Sequence, residues 1–456
     1  MGELLMAHFV FHHDQRKLPD YDETCHPVLI YNSRSDKWDS NRSSLIGNRI
    51  VESIRDLGCT VSNESFDFMT IAMAVTAADT FYQREKADNS WSRNFQLEIP
   101  LSNPELWNNS KLKLEKALGF LTGDKWNLLF QTGGLRAPKI KRSKKAKLKR
   151  KSLVGLNCAS LFSGGLDSAV GAIDLINGKS TYKPLLISHA YKGDATKQNE
   201  VANVLNNNPY SRLSFNADPH IINSLSGKID ITMRGRSFNF LAMAVVGLSA
   251  IKRVNIDDNI TQVFIPENGY IALNPPLTPR RIGSLSTRTT HPYYLSIIQE
   301  VLDDVGLKCK LTNPYELKTK GEMLANCKDI NALKKAIPST VSCSNWHRNN
   351  QQCGRCVPCV IRRAAILKAG INNDAIYASE DLAIVSKISG KDIKKDDILA
   401  LQAANKRLSL KSTNIARWVR QSGPLPLDMA RRTGLVDTFS RGLLEVGDLL
   451  KSKSIL

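Results

Sequence analysis

The sequence has no apolar run that approaches the roughly 18 residues of a membrane span. The apolar stretch 4–11 follows Glu3 without a basic segment before it, which argues against a secretory signal peptide. The nine cysteines, four of them clustered, therefore predict reduced thiols and a metal site rather than disulfides. We expect a cytoplasmic protein that makes no membrane contact.

Acidic residues are few relative to basic ones: 43 Asp and Glu accompany 63 Lys and Arg, and the formal net charge is +20. A large share of this excess lies in residues 136–151, which we call the basic segment. Such a run is most often a solvated linker, and an electrostatic contact with RNA or an acidic partner is the alternative. The charge therefore leaves nucleic-acid binding open without favouring it.

The lysine of the common phosphate-binding loop G-x-x-x-x-G-K-[ST] is also missing, but a different glycine-rich loop is present. This glycine loop consists of Ser163, Gly164, Gly165, Leu166, Asp167 and Ser168. Apolar residues 159–162 before it predict a buried strand, and the apolar spacing after it predicts a helix. Free N–H groups at such a helix start favour an anion, the serines add hydroxyl donors, and Asp167 could hold Mg²⁺ or a water. The alternative is a tight turn in which Asp167 is a cap.

Changes in composition and periodicity divide the chain into five segments. We expect an N-terminal α+β domain that binds a partner at 1–134, a basic linker at 135–154, an α/β domain at 155–340, a zinc knuckle at 341–370 and a helical extension at 371–456. Strands alternate with helices in the α/β domain, which predicts a parallel sheet with helices on both faces. Ligands of such folds bind at the carboxyl ends of the strands, where the glycine loop lies.

Local patterns also predict individual elements in the flanking segments. Near the N-terminus we expect strands at 4–12, 27–31, 95–101 and 126–131, and helices at 66–82 and 109–121. In the extension we expect helices at 398–406, 413–420 and 425–432. Trp91 and Trp107 are expected to be core or interface anchors.

Four cysteines stand at the spacing C-x9-C-x2-C-x2-C: Cys343, Cys353, Cys356 and Cys359. Four thiolates at this spacing suit a closed tetrahedral zinc site, which stabilises structure and leaves no open position for chemistry. An iron–sulfur cluster can share the C-x2-C-x2-C run, and unligated thiols are the other alternative. His347 could replace one of the cysteines.

The glycine loop closely resembles that of the PP-loop ATP pyrophosphatases, which split ATP between its α- and β-phosphates and pass AMP to a substrate oxygen. The cysteine spacing and the V-I-R-R-A stretch at 360–364 extend the likeness. Over residues 158–370 the chain resembles the 7-cyano-7-deazaguanine synthases, the QueC family. Segments 234–238 and 313–323 resemble further parts of that family. In its length, the chain resembles in particular the long QueC-like subunit of Qat-type bacterial anti-phage systems.

This resemblance implies a PP-loop domain of HUP type, similar to the adenine nucleotide alpha hydrolases, with ATP, Mg²⁺ and Zn²⁺ as cofactors. It implies AMP-forming adenylation of the carboxylate of a 7-deazaguanine and transfer to a nitrogen nucleophile in anti-phage defence. The acceptor would be ammonia or an amine of a partner protein from the same operon. A tRNA-modifying PP-loop enzyme is one alternative, and a non-catalytic nucleotide-binding scaffold of a defence complex is another.

The resemblance also assigns roles to particular residues. The expected nucleotide-binding set is the glycine loop with Arg234 and Arg236, and Asp167, Ser168 and Arg236 are expected to be catalytic. The expected substrate-side residues are Glu267, Asn268, Arg288, Thr289, His291 and Lys320. For these arginines and loop residues the alternative is a purely structural role as helix caps or as hydrogen-bonded loop side chains.

Overall fold

The structure, a computed structural model, describes residues 6–32, 37–177, 180–189, 194–205, 210–225, 234–278, 288–344, 346, 350–389 and 397–456. Within these residues, ten strands form two five-stranded sheets. Every strand pairing within the two sheets is parallel. The expected α/β class with a parallel sheet is therefore confirmed.

The first sheet belongs to the N-terminal unit, by which we mean residues 6–131, and has the order β3-β2-β1-β4-β5. Its strands are β1 (Met6–His12), β2 (Cys25–Ile30), β3 (Ser44–Ile46), β4 (Asn94–Pro100) and β5 (Lys125–Gln131). The helices that follow β3 and β4 are α1 (Asn48–Arg55), α2 (Asn63–Phe81), α3 (Pro104–Asn108) and α4 (Lys111–Thr122).

The α+β class expected for residues 1–134 is wrong, because all of these strands are parallel. The error has a physical cause. Buried and half-buried residues alternate along β1 and β4, which is the pattern of a sheet with one partly solvated face and is more usual in antiparallel sheets. The three-residue strand β3 is too short to give a periodic signal.

The second sheet has the order β10-β9-β6-β7-β8. Its strands are β6 (Cys158–Leu161), β7 (Pro184–His189), β8 (Ser211–Phe215), β9 (Gln262–Phe264) and β10 (Lys310–Thr312). The helices from the basic segment to β10 are α5 (Lys144–Lys149), α6 (Leu166–Ile176), α7 (Asp194–Asn203), α8 (Arg236–Asn255), α9 (Gly269–Leu273) and α10 (Pro292–Asp304). Because β6 pairs with β7 on one side and β9 on the other, the strand order reverses at β6, where open parallel sheets bind ligands.

The remaining part of the chain is helical. Its helices are α11 (Lys320–Ala325), α12 (Ile330–Ala336), α13 (Val357–Lys368), α14 (Leu382–Ser389), α15 (Asp397–Ser409), α16 (Ile415–Val419) and α17 (Met429–Ser452). The helix expected at 425–432 is misplaced. Asp428 caps the last helix by accepting a hydrogen bond from the Arg431 N–H, so the helix begins at Met429 and continues to Ser452.

The two sheets share a buried core through α2 and α8. Phe68 of α2 and Phe238 of α8 meet edge to face with their ring centroids 5.2 Å apart, and both are fully buried. Among the described residues, α8 is the one helix long and apolar enough to cross a membrane, and 72% of its most apolar stretch is buried inside the protein. That burial is what a core helix requires. The domain boundaries expected from the sequence stay predictions.

Candidate functional site

The glycine loop joins β6 to α6 at the carboxyl end of the second sheet. Gly164 has φ +80°, and a Cβ there would lie 2.9 Å from Cγ of Gln198, so the position requires glycine. Ser163 Oγ accepts the Gly165 N–H at 3.2 Å, and Ser168 Oγ donates to the Gly165 carbonyl at 2.9 Å. The two hydroxyl oxygens are 3.2 Å apart. The serines therefore hold the loop in shape at the start of an 11-residue helix.

The loop opens into a cavity of about 490 Å³, a volume within the range of small-molecule sites. Of the predicted site residues, the cavity wall brings together Ser163, Gly164, Gly165, Ser168, Arg236, Glu267 and Thr289. The wall residues that sequence reasoning missed include Lys197, Ser237, Phe240 and Trp346. Phe240 could have been found, because helical spacing places it on the same face of α8 as Arg236, four residues earlier.

Two cationic side chains, Arg236 and Lys197, line the same cavity as the glycine loop. Arg236 Nη2 donates to the carbonyl of His189 at 3.0 Å, and Gln198 Nε2 donates to the same oxygen at 3.0 Å. The Lys197 ammonium lies 2.7 Å from Glu200 and 5.9 Å from the ring centre of Trp346. The end of β7, α7 and the start of α8 thus place positive charge where an anion on the loop would lie.

Asp167 is directed into a buried polar cluster behind the loop and is not among the cavity-lining residues. Its Oδ1 lies 2.6 Å from the Lys320 ammonium, and its Oδ2 accepts the side-chain amide of Asn268 at 2.6 Å. Burial raises the pKa of Asp167, but the Lys320 charge and the hydrogen bonds from Glu267, Lys320 and Asn268 outweigh it. The net effect holds that pKa well below its usual range, so Asp167 is an anion.

Glu267 connects this cluster to the cavity, since it lines the cavity and also hydrogen-bonds to Asp167. Burial raises the pKa of Glu267 well above its usual value, and the neighbouring Asp167 charge raises it further. The pKa values of the two carboxyl groups in this cluster are therefore shifted in opposite directions. Three hydrogen bonds from protein groups reach the two carboxylate oxygens of Asp167, and the Mg²⁺ site expected there stays a prediction.

Asn268 and Lys320, both expected on the substrate side, belong to the same cluster and do not line the cavity. Asn268 has a second structural task, because its Oδ1 accepts the Ile271 N–H at 3.0 Å and caps α9. Lys320 is only 7% exposed and is the first residue of α11. In this structure both residues bond to Asp167, and a role in contacting a ligand stays a prediction.

Arg234 is also placed away from the cavity wall. Its Nη1 donates to the Thr122 carbonyl at 3.0 Å, and its guanidinium lies 4.7 Å from the ring centre of Trp91. Burial and the nearby Arg84 charge lower the pKa of Arg234 to about 10. Arg234 therefore packs against the N-terminal unit instead of facing the glycine loop.

Arg288 and His291 have a similar placement. Arg288 donates to the carbonyl of Phe120 at 3.1 Å and lies 4.7 Å from the centre of that ring. His291 is fully buried and caps α10 by accepting the Tyr293 N–H at its Nδ1. Burial, with the neighbouring Arg288 charge, lowers the pKa of His291 to about 3, so its ring is neutral. Thr289 is the residue of this predicted group that reaches the cavity wall.

The four predicted cysteine ligands come together as a group that could hold a metal ion such as zinc. Their sulfur atoms all lie within 4.8 Å of one another, and the pairs Cys353–Cys359 and Cys343–Cys356 are each 3.9 Å apart. Tetrahedral zinc with bonds of about 2.3 Å would place its sulfurs about 3.8 Å apart, so the geometry fits zinc. His347 lies outside the described residues.

Hydrogen bonds around the cysteines link this group to the glycine loop. Arg362 of α13 is fully buried and donates to the Thr340 carbonyl at 3.0 Å and to the Ile337 carbonyl at 2.7 Å. Val341 follows Thr340 and precedes Cys343 by two residues. Its N–H donates to the Gly164 carbonyl at 3.2 Å. Cys343 and Trp346 line the cavity. The cysteine group, which could hold a metal ion, therefore borders the cavity through Cys343.

The five other cysteines are poor candidates for reactive thiols. Burial raises the pKa of Cys59 to about 11 and those of Cys158 and Cys309 to about 12. Burial and the nearby Asp174 raise that of Cys327 to about 12, and burial raises the pKa of Cys25 as well. Since the thiolate is the nucleophile, none of these residues is activated.

Comparison of this chain with models of protein families and with curated proteins gives no match.

Proposed function

We propose that this protein is an ATP-dependent, AMP-forming enzyme that adenylates the carboxylate of a 7-deazaguanine and transfers the acyl group to a nitrogen nucleophile. One observation carries the proposal. A glycine loop that resembles that of the PP-loop pyrophosphatases lies at the reversal point of a parallel sheet and opens into a cavity lined by Arg236 and by Cys343 of the cysteine group. A cavity bordered by the glycine loop, the Arg236 guanidinium and the cysteine group suits a nucleotide polyphosphate.

The wall residues suggest how the adenylation would proceed. Backbone N–H groups of the glycine loop and the hydroxyls of Ser163 and Ser168 would hold the phosphates, and Arg236 and Lys197 would neutralise the charge that develops on departing pyrophosphate. AMP leaves an acyl carbon far more readily than oxide does. Mg²⁺ supplies further charge neutralisation when it enters with ATP. Asp167 contributes by fixing the loop.

The aromatic residues of the cavity wall support a flat heteroaromatic substrate. Phe240 and Trp346 line the cavity together with the polar residues Glu267 and Thr289. A few polar groups on a mainly apolar wall are what orients a small molecule in its site. The absence of an activated thiol among the cysteines outside the metal group argues against sulfur transfer, the chemistry that many tRNA-modifying enzymes of this type would need.

The product of ATP cleavage tests the proposal. Protein incubated with Mg²⁺-ATP, 7-carboxy-7-deazaguanine and ammonium should release AMP and pyrophosphate in equal amounts, measured by chromatography. Ser168→Ala should reduce the rate by about 100-fold, the cost of losing one preorganised donor. Ser409→Ala, a change at an exposed serine, should not alter it. Release of ADP, or no ATP cleavage with any 7-deazaguanine acid, would overturn the proposal.

The basic segment provides the test of the tRNA alternative. Its α5 lysines are exposed, and Lys141 pairs with Glu52 of α1 at 2.8 Å, so it lies along the N-terminal unit. We expect glutamine at positions 144, 145, 147 and 149 to leave AMP formation unchanged within about twofold, because surface substitutions distant from a site have small effects. An RNA substrate would instead bind with an affinity that falls with salt, with a log–log slope of about −0.7 to −0.9 per phosphate, and the substitutions would flatten that slope. Such a result would favour the tRNA alternative.

A further inference from the structure

The turn that carries Arg236 into the cavity is held from the N-terminal unit. Gly235, the residue before α8, donates its N–H to Oδ2 of Asp79 at 3.0 Å. Asp79 belongs to α2, 156 residues earlier in the chain. A carboxylate at a helix start satisfies an N–H that has no partner within the helix and favours the helix dipole. The N-terminal unit therefore supplies the cap of α8.

Asp79 is itself fixed by a buried cluster of charges. Arg93 contacts Asp79 and also lies 2.8 Å from Asp124, and Arg84 lies 2.8 Å from Asp124. The side chains of Arg93 and Asp124 are fully buried. Each of these four charges has an opposite neighbour, and Arg234 lies close enough to feel all of them. Such a network is rigid, since moving one member would leave another charge buried and unpaired.

The N-terminal unit also contacts Arg234, the residue before Gly235. Arg234 lies over the ring of Trp91 at 4.7 Å and donates to the carbonyl of Thr122. Trp91 is 39% exposed, so its ring can be changed without opening the core. Two residues of the N-terminal unit thus contact the chain just before α8: Asp79 binds the Gly235 N–H, and Trp91 packs against Arg234.

We infer that the N-terminal unit positions Arg236 for nucleotide phosphate through Asp79 and Trp91, so that residues 6–131 are part of the site's machinery. The inference rests on the proposed function. Neither Asp79 nor Trp91 lines the cavity, so both are positioning residues. Their effect is transmitted through the start of α8, where Arg236 is the first helical residue. A displacement of about 1 Å at such a group can cost about 100-fold in rate.

The experiment compares nucleotide affinity in four variants, with α,β-methylene-ATP as the probe. Trp91→Ala should weaken binding by about 2- to 5-fold, which corresponds to the roughly 0.5–1 kcal/mol of an exposed cation–π contact. Trp91→Phe keeps a ring and should restore most of the affinity. Asp79→Asn should weaken binding at least as much, and Asp88→Asn, an exposed carboxylate in the same unit, should have no effect.

A second arm separates positioning from general stability. In an Arg236→Ala background, Trp91→Ala should cause no further loss, because the guanidinium whose placement Trp91 is inferred to control is already gone. Equal affinity of folded Trp91→Ala and wild type, or additive losses in the double variant, would overturn the inference. Hydrogen exchange of the amides at the start of α8 gives a readout without nucleotide. Protection there should fall in Trp91→Ala and return in Trp91→Phe. If wild type binds no nucleotide, the proposed function fails, and unchanged protection would overturn this inference separately.

Discussion

Asp167→Ala should both stop turnover and destabilise the protein. The substitution removes the anion that lies 2.6 Å from the Lys320 ammonium, and both side chains are less than a tenth exposed. Leaving a buried cation without its partner costs about 3–5 kcal/mol. The glycine loop also loses its bonds to Asn268, so we expect turnover to fall by about 100-fold or more. Denaturant unfolding and AMP release measure the two effects.

A paired change separates the two effects of Asp167. The double variant Asp167→Asn with Lys320→Met removes both charges, and replacing a whole buried ion pair is often neutral for stability. We therefore expect the free energy of unfolding to return close to that of the wild type while turnover stays low. Wild-type turnover in the double variant would show that the charge pair does not shape the loop. A single Asp167→Ala that unfolds no more easily than wild type would contradict the burial of Lys320.

Cys356→Ser should lose the metal ion and the fold of residues 341–370 together. Structural zinc contributes about 10–16 kcal/mol in small zinc-binding peptides at pH 7, which rivals the whole stability of a typical domain. Cys356 directly precedes α13, and its sulfur lies 3.9 Å from that of Cys343. We expect elemental analysis to find one zinc per chain in the wild type and none in the variant, with a lowered Tm.

The matched control for this change is Cys25→Ser, a half-buried cysteine outside the metal group, which should keep its zinc. If the wild type contains iron, the four cysteines hold an iron–sulfur cluster and the zinc prediction is wrong. If the wild type folds stably without metal, the four thiols are unligated and the prediction is also wrong. Because the Val341 N–H bonds to the Gly164 carbonyl, loss of the metal should also loosen the glycine loop. Nucleotide affinity in Cys356→Ser should fall along with stability.

The sequence alone was enough to predict the features that depend on neighbours along the chain. The glycine loop has a local signature because a turn with φ above zero and a close approach to Gln198 requires glycine at position 164. The cysteine spacing predicted a four-sulfur group because one tight knuckle and one nearby thiolate can reach the same ion. Strand and helix alternation predicted the parallel second sheet because parallel strands need long crossovers. These signals act over a few residues, so composition and spacing contain them.

Only the tertiary structure decided which charges meet. Asp167 and Lys320 are 153 residues apart, and nothing in either local pattern indicates that they form an ion pair. The same holds for Arg234 and His291, which the sequence placed near a ligand and the fold places against the N-terminal unit and the C-terminal extension. The physical reason is that a buried charge or ring is stabilised by whatever packs across from it. For Asp167 and Lys320 that partner is set by the packing of α11 against α6, which no local periodicity specifies.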